Sequence, residues 1–536
     1  MKKSRSNLTT MFMALLGGAI VLFSSTSYSM FTEQLAIDTK AISLANTVTA
    51  DPPGIMSIHY NPAGLSRLPD GGVFSQGLAI PVIKQTVKFK RDPNFGGFLG
   101  GFNQDPLFNT EGTNSSGRVY VPFVGTVDFL FSPALGFSHR RPGSRWTFGM
   151  AMYAPIAIGI VRGDRDDPAR YGGKAVYQQH LIYASPTVSY KMSDSLSLGL
   201  SVGFGQSAMG AEVDMRSPND LVALTRVLGN ATKDLEIPIL SELTFPPPWF
   251  GGGVSPYDQV ASMDLDMRDD FSPSYNLGLL WHPWDWFSFG ICYHSSIKVN
   301  FRGSYRFDYT DVWQRMVHWF GTSPLLVNIS GMLDLPTHEV PSQRGRATAE
   351  MKFPQMLQFG VMVKPFKRLK LLCDLHWANW SVLKEDRIVF DQDIQLLRVV
   401  KLLGYTGGDR ALVIERNFKD TWTWSVGMEY QLFDWLVLRC GYENRKTSVR
   451  DDHFDLLYSI PDLDYYGAGV GINLKGMKID LGFGYIVNKS YKIPDNGSVN
   501  LNSTDFTKPV YNPYAGMDVE VKTVSYIGAV TITKRF

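Results

Sequence analysis

"LSLGLSVGFG", residues 196–205, puts Leu196, Leu198, Leu200, Val202 and Phe204 at every second position, with Ser197, Gly199, Ser201, Gly203 and Gly205 between them. A period of two belongs to a β-strand, whose side chains point alternately to opposite faces; an amphipathic helix would space its apolar residues by three or four. One face is wholly apolar, the other small or polar. The same split recurs in Trp422, Trp424, Val426, Met428 and Tyr430 against Thr423, Ser425, Gly427 and Glu429. It returns in Ile479, Leu481, Phe483 and Tyr485 against Asp480, Gly482 and Gly484.

Marking such stretches predicts about fourteen strands. They fall near residues 72–90, 118–140, 145–158, 178–192, 195–213, 268–283, 286–307, 349–365, 368–383, 419–432, 435–450, 464–475, 477–490 and 519–536. Their connections alternate between short ("MSDS", "PWDW", "LFDW", "LKGMK") and long (214–267, 308–348, 384–418). A soluble sandwich or propeller turns its apolar faces inward and has no reason to gather its long loops at one end. A transmembrane barrel turns its apolar face to lipid and has short periplasmic turns and long external loops. An even strand count leaves both chain ends on the periplasmic side.

Composition agrees. Fifty Gly stand beside 33 Phe, 24 Tyr and 12 Trp; aromatics at strand ends would form interfacial girdles, and Gly or Ser would line a crowded lumen. With 52 Lys+Arg against 50 Asp+Glu, charge points to no nucleic acid. Lys2, Lys3 and Arg5, the apolar run Met11–Phe23 and the small residues around Ser27–Ser29 read as a signal peptide over 1–29, cleaved after Ser29. The apolar run is too short for a membrane anchor. This places the mature chain in the outer membrane of a Gram-negative bacterium. The last strand, "TVSYIGAVTITKRF", ends in Phe536, a terminal aromatic of the kind the barrel-assembly machinery engages.

"YNPAGL" at 60–65, "SPTVSYKMSDSLSLGLSVGFG", "SSIKVNFRGSY" and "YSIPDLDYYGAGVGI" occur in the order found in the FadL family, which this chain resembles over nearly its whole mature length. That family consists of outer-membrane transporters for long-chain fatty acids and other hydrophobic compounds. The resemblance implies a fourteen-stranded antiparallel transmembrane β-barrel at 72–536 with an N-terminal hatch, 30–71, in the lumen. It further implies capture of cargo at external loops, an internal pocket and lateral release through the wall. Long-chain fatty acids are the cargo it favours; alkanes or monoaromatic hydrocarbons are the alternative. No coupling partner and no cofactor is implied, and a monomer is expected.

Asn61, Pro62 and Ala63 match the family's hatch motif, although Asn-Pro and Gly form turns anywhere. In the loop 214–267, Ser217 is placed to cap a helix with Pro218 at its first position and Leu221, Leu224, Val227 and Leu228 on one face; Trp249 and Phe250 follow. In the loop 308–348, Thr310 is placed to cap a helix carrying Trp313, Met316, Val317 and Phe320 at spacings of three or four. Two such helices on the outer face would make a hydrophobic groove, or would pack on each other. Strand phase puts Lys298, Arg302 and Arg439 in the lumen, as cations for a fatty-acid carboxylate or as members of structural charge networks. It also puts Cys292 in the lumen and Cys373 and Cys440 toward lipid, so free thiols are expected.

The rival readings are a barrel enzyme and a general porin. The sequence has neither G-x-S-x-G nor H-E-x-x-H, and "GDRDD" at 163–167 lacks the spacing of a calcium loop, so neither catalysis nor a metal is expected. A porin would need no hatch and no apolar external loops.

Overall fold

In the computed structural model, residues 34–99, 101–114, 116–235, 244–457, 459–505 and 512–536 are described; the expected signal peptide lies outside them. The chain forms a closed, antiparallel barrel of 14 strands. In order these are β1 (Gly71–Arg91), β2 (Ser132–Arg140), β3 (Trp146–Val161), β4 (Ala175–Ala184 and Thr187–Lys191) and β5 (Leu196–Met215). Then come β6 (Ala261–Asp269 and Ser274–Trp284), β7 (Phe287–His294 and Ile297–Tyr309), β8 (Ser342–Phe353 and Met356–Phe366), and β9 (Leu369–Ala378, prolonged by Glu385–Phe390). The wall ends with β10 (Ala411–Glu415 and Thr421–Phe433), β11 (Leu436–Arg445), β12 (Leu463–Leu474), β13 (Met477–Val487 and Tyr491–Ile493) and β14 (Met517–Arg535). Pairing of β1 with β14, from Val73↔Arg535 to Arg91↔Met517, closes the ring.

Among the described residues no helix is long and apolar enough to cross a membrane; the strands do so, with the expected faces. Leu198, Leu200, Trp424, Leu481 and Phe483 are exposed on the outside, while Ser197, Ser201 and Ser425 are buried within. An upper girdle runs Trp424–Tyr442–Tyr466–Tyr485–Tyr526, with ring centroids 5.4, 5.2, 6.3 and 5.5 Å apart. Tyr275 and Tyr293 continue it on β6 and β7. At the periplasmic end, Trp284–Trp286 and Phe433–Trp435 form stacked pairs at the turns. Amphipathic rings at both rims fix the depth of the barrel in the bilayer.

Several expected boundaries move. β2 starts at Ser132, and the residues before it form a separate hairpin, Val119–Val121 with Gly125–Val127. The expected loops 214–267, 308–348 and 384–418 are shorter than expected, because β6 to β10 rise well above the girdle.

In that rise the alternation inverts. Inside it lie Met263, Leu265, Met267, Val299, Phe301 and Phe307, all buried; outside lie Asp264, Arg268, Lys298, Arg302, Arg344 and Arg346, all exposed. The inversion happens where each strand breaks: at 270–273 in β6, at Ser295–Ser296 in β7, and at Pro354–Gln355 in β8. One extra residue in a strand sends every later side chain to the other face. Below the break the outside solvent is hydrocarbon; above it, water.

Lys298 and Arg302 therefore do not face the lumen. The expected phase carries through from Ser288 and His294, and the irregularity at Ser295–Ser296 reverses it. Arg439, on the unbroken β11, does face inward.

Candidate functional site

Residues 34–70 fill the membrane-level lumen. Asp38 caps α1 (Thr39–Ser43), its carboxylate accepting from the main-chain N–H of Lys40 and Ala41; α2 (Ser57–Tyr60) and a 3₁₀ turn, Pro62–Arg67, follow. The surrounding wall is glycine where this segment touches it. A Cβ at Gly441 would stand 2.2 Å from Leu44 main chain, one at Gly467 2.3 Å from the Ile42 carbonyl, and one at Gly199 2.2 Å from Ala63 N. Lumen glycines thus admit a second backbone at close approach.

Asn61 is fully buried. Its Nδ2 donates to the carbonyls of Thr49 (2.9 Å) and Leu279 (3.0 Å), and its Oδ1 accepts from Ala63 N (3.2 Å). Pro62 and Ala63 lie against Gly199 and Gly278 on β5 and β6. Asn61 therefore joins the segment's own turn to the barrel wall.

Charge ties the same segment to β9–β13. Asp51 meets Lys40 (2.9 Å), Arg67 (3.3 Å) and Lys370 (2.8 Å); Lys370 also reaches Glu429 (2.8 Å). Arg439 bridges Glu429 and Asp480, each at 2.7 Å. With both partners in place Arg439 belongs to this network, and its charge is already compensated.

Above the filled lumen the upper wall surrounds an apolar cavity of about 970 Å³, its open mouth included. Ile158, Ile160, Met209, Met263, Leu265 and Ile388 line it. Its polar side holds Gln85, Ser459 and Thr523 together with Asp386 and Arg416. Arg416, the one cation among the described lining residues, has Nε 2.6 Å from Asp386 and Nη1 on Asp455. Burial keeps the Asp386 carboxyl above its usual range even beside that guanidinium.

Beside the cavity the wall is incomplete. β2 rises only to Ser132, opposite Ala79. Above it, β1 pairs with Thr110–Thr113, and the edge of β3 beyond Met152 has, as strand pairing, only the Ser116↔Val161 bridge among the described residues. The cavity residues Ile83 on β1 and Ile158 and Ile160 on β3 flank this interval. Pro155 makes a bulge in β3, and its carbonyl accepts from Gln34 N at 3.0 Å, so the filling segment touches the interval. Over the outside lies the 116–131 stretch, whose Phe123 and Val124 are exposed.

The external helices divide the expected groove residues into two groups. In α3 (Asp220–Thr232) the cap is Asn219, whose side chain accepts from Val222 N (2.9 Å), rather than Ser217. Ala223, Gly229 and Thr232 face inward, while Leu221, Leu224 and Val227 are exposed and Leu228 is half-buried. In α4 (Asp311–Trp319) the Thr310 side chain donates to Gln259 O instead of capping. Trp313, Met316, Val317 and Phe320 are buried in the barrel mouth, Trp313 stacking on Tyr309. Trp249 and Phe250 are half-buried between the two helices. The run from Phe250 to Gly253 has positive φ throughout, and a Cβ at Gly251 or Gly253 would strike helix backbone. α5 (Pro324–Met332), not foreseen from the sequence, adds exposed Leu325, Val327 and Met332 to the apolar outer surface.

One cluster has the order of a hydrolase. Cys292 Sγ is 3.5 Å from His294 Nε2, and His294 Nδ1 is 3.0 Å from Asn276 Oδ1. All three are buried against His59 of the filling segment, so no substrate reaches the thiol. Cys373 and Cys440 are exposed on the outer face, and all three thiols are free.

Residues 23–536 match the family model described as outer membrane protein transport protein (OMPP1/FadL/TodX). A Pseudomonas aeruginosa FadL homologue superposes with a TM-score of 0.65 at 15% identity, covering 95% of this chain and 100% of that one. The P. putida toluene transporter TodX superposes with a TM-score of 0.59 at 15% identity, covering 94% and 99%. A 47 kDa outer membrane protein of Pasteurella multocida is 23% identical over 232 residues, 43% of this chain; the match spans 46% of that relative's length.

Proposed function

Because the chain belongs to the outer membrane transport protein family (OMPP1/FadL/TodX), we propose that it takes up small neutral hydrophobic molecules passively. They would be captured on the apolar outer faces of α3 and α5, held in the cavity, and released sideways between β1 and β3. Residues 34–70 act as the hatch. The observation that carries this reading is the cavity itself: an apolar interior built above the membrane over a plugged lumen, where a water-filled porin would have polar walls. An apolar cargo keeps its burial along that route, at about 0.8 kcal/mol per methylene.

Neutral cargo is favoured over fatty acids by the state of the cations. Arg416 is held by two carboxylates and Arg439 by two more, and Lys298 and Arg302 point outside. The toluene transporter TodX shares the fold. A carboxylated cargo is the second reading, supported by Arg162: it is buried, bonds to Gln85 Oε1 at 3.3 Å, and leaves Nη1 without a partner among the described residues.

Binding of toluene, hexadecane and oleate to the purified barrel tests both readings. Leu265→Gln with Ile388→Gln is expected to abolish hydrocarbon binding, while Arg162→Gln leaves it intact. Oleate bound more tightly than either hydrocarbon, and lost in Arg162→Gln, would establish the second reading. A large ohmic conductance of the intact barrel in planar bilayers would refute both. Phe536, exposed at the periplasmic rim, is assigned to recognition by the assembly machinery, and the working unit to a monomer.

A further inference from the structure

The outer face of the raised wall carries cations in an arrangement that strand pairing alone disfavours. Lys298 stands directly opposite Lys352, and Arg302 directly opposite Arg268. One and two rungs above the Arg302 level, Arg346 and Arg344 continue the same face. Like charges directly opposite each other in a sheet repel. Lys298, Arg302, Arg344, Arg346 and Lys352 are exposed, and none of them lies within ion-pair distance of an acid among the described residues. Asp264, Asp266 and Glu350 share the face, and none of the three forms an ion pair among the described residues.

The opposite side of the barrel is built differently at comparable height. On β1, Lys88 pairs with Glu111 (3.5 Å) and Lys90 with Glu520 (3.4 Å). On β7 itself Arg306 pairs with Asp308 at 2.7 Å, whereas Lys298, Arg302, Lys352, Arg344 and Arg346 have no ion pair among the described residues.

Depth supplies the second observation. The Tyr293↔Leu357 rung is the last to face lipid, and Tyr293 belongs to the upper girdle. After the strand break, Lys298↔Lys352 is the first outward rung above it, and Arg268↔Arg302 lies four residues higher on β7. That band borders the head groups of the outer leaflet, where a phosphate can receive several donors at once.

We propose that the outer face of β6–β8 is a binding surface for a phosphorylated glycolipid of the outer leaflet, with Lys298, Lys352, Arg302 and Arg268 gripping its phosphates and Arg344 and Arg346 the anionic groups above. The bound lipid neutralises the like-charged pairs and anchors this side of the barrel. The surface lies outside the barrel and is independent of the cargo route.

The test is native mass spectrometry of the full-length barrel, extracted from its membrane in mild detergent and exchanged against purified lipopolysaccharide or its dephosphorylated form. K298Q/R302Q/K352Q is expected to lower bound lipopolysaccharide by about fivefold or more. K88Q/K90Q/K522Q, which removes the same charge from β1 and β14, is expected to leave it unchanged, and K298R/K352R to retain it. Heat-modifiable electrophoretic migration verifies that each variant is folded. Wild-type retention by the β7–β8 variant, an equal loss in the β1–β14 variant, or equally tight binding of the dephosphorylated lipid would overturn the proposal. Hydrocarbon binding, measured on the same variants, is expected to stay unchanged, which separates this outcome from the fate of the transport reading.

Discussion

The lower and upper halves of β6–β8 use the same two-residue period in opposite phase. At membrane level Leu200 and Phe483 face out and Ser201 and Gly441 face in; above the girdle Arg302 and Arg344 face out and Phe301 and Leu265 face in. The lower interior is then occupied by residues 34–70 through glycine contacts and ion pairs, while the upper interior keeps a cavity. A strand has no fixed inside. The solvent on its outer face decides which set of side chains is buried, and a single irregularity is enough to exchange them.

The largest expected effects come from treating the halves as equivalent. Phe301→Ala, in the packed upper interior, is expected to cost about 3–5 kcal/mol. Phe483→Ala should cost much less, since fluid lipid fills the space that a rigid core leaves empty. The reciprocal pair uses charge. Leu200→Arg at membrane level should cost about 2–4 kcal/mol, and Asn300→Arg on the upper outer face should stay within about 0.5 kcal/mol. Denaturant unfolding of barrels in one bilayer composition reads all four; equal losses within either pair would remove the inverted phase.

A smaller effect is expected where the filling segment meets the wall. Val in place of Gly441 puts atoms into the Leu44 main chain, and overpacking of this kind costs about 1–3 kcal/mol. Gly528, where an added Cβ would have nothing within 4 Å, should accept Val freely. If residues 34–70 plug the lower lumen, Gly441→Val also raises conductance in planar bilayers; an unchanged, closed barrel would argue that they do not.

How far the residues announce this arrangement depends on the half. The membrane-level strands are legible because lipid enforces an unbroken alternation, as in Trp422–Tyr430, and because lumen-facing Gly and Ser leave no competing pattern. The order of family-like stretches supplies the hatch, which its own turn residues could not. The upper half misleads, because a strict period of two carries Lys298 and Arg302 into the lumen across Ser295–Ser296. There is a signal nearby: Pro155, Pro186, Pro273 and Pro354 stand at bulges or breaks in β3, β4, β6 and β8, and proline inside a central strand marks an interruption. β7 carries no proline at its break, and its phase follows only from its neighbours. For the helices, spacing finds an apolar face on both α3 and α4 but cannot say which face looks inward. In α3 the small residues Ala223 and Gly229 allow close approach and face in, leaving the leucines outside.

Those outer faces yield a functional effect without a stability effect. Val327→Ser with Met332→Ser removes apolar surface from α5 where it is already exposed, so unfolding should shift by no more than about 0.5 kcal/mol. Hydrocarbon uptake into cells at low external concentration should slow, and uptake at saturating concentration should not. An unchanged rate at low concentration would remove α5 from the capture surface.

The smallest expected effect is electrostatic, and it again divides the halves. At membrane level Asp51, Glu429 and Asp480 each have a cation partner. On the external side, at the end of the β13 extension, Asp495 faces Asp92 instead, and burial together with that like charge raises its carboxyl to about 6. A carboxyl whose folded value lies above its unfolded one, 3.8, binds its proton more tightly in the folded state. Its contribution to stability is complete below about pH 4 and disappears as pH rises through about 6. The 494–505 stretch should therefore be cleaved more slowly by an acid-tolerant protease at pH 4.5 than at pH 7.5, relative to an external loop without a carboxyl pair. Asp495→Asn should remove the difference by protecting the stretch at pH 7.5. Cleavage that is independent of pH in the wild type, or a pH dependence that persists in Asp495→Asn, would assign the effect to other groups on the outer rim.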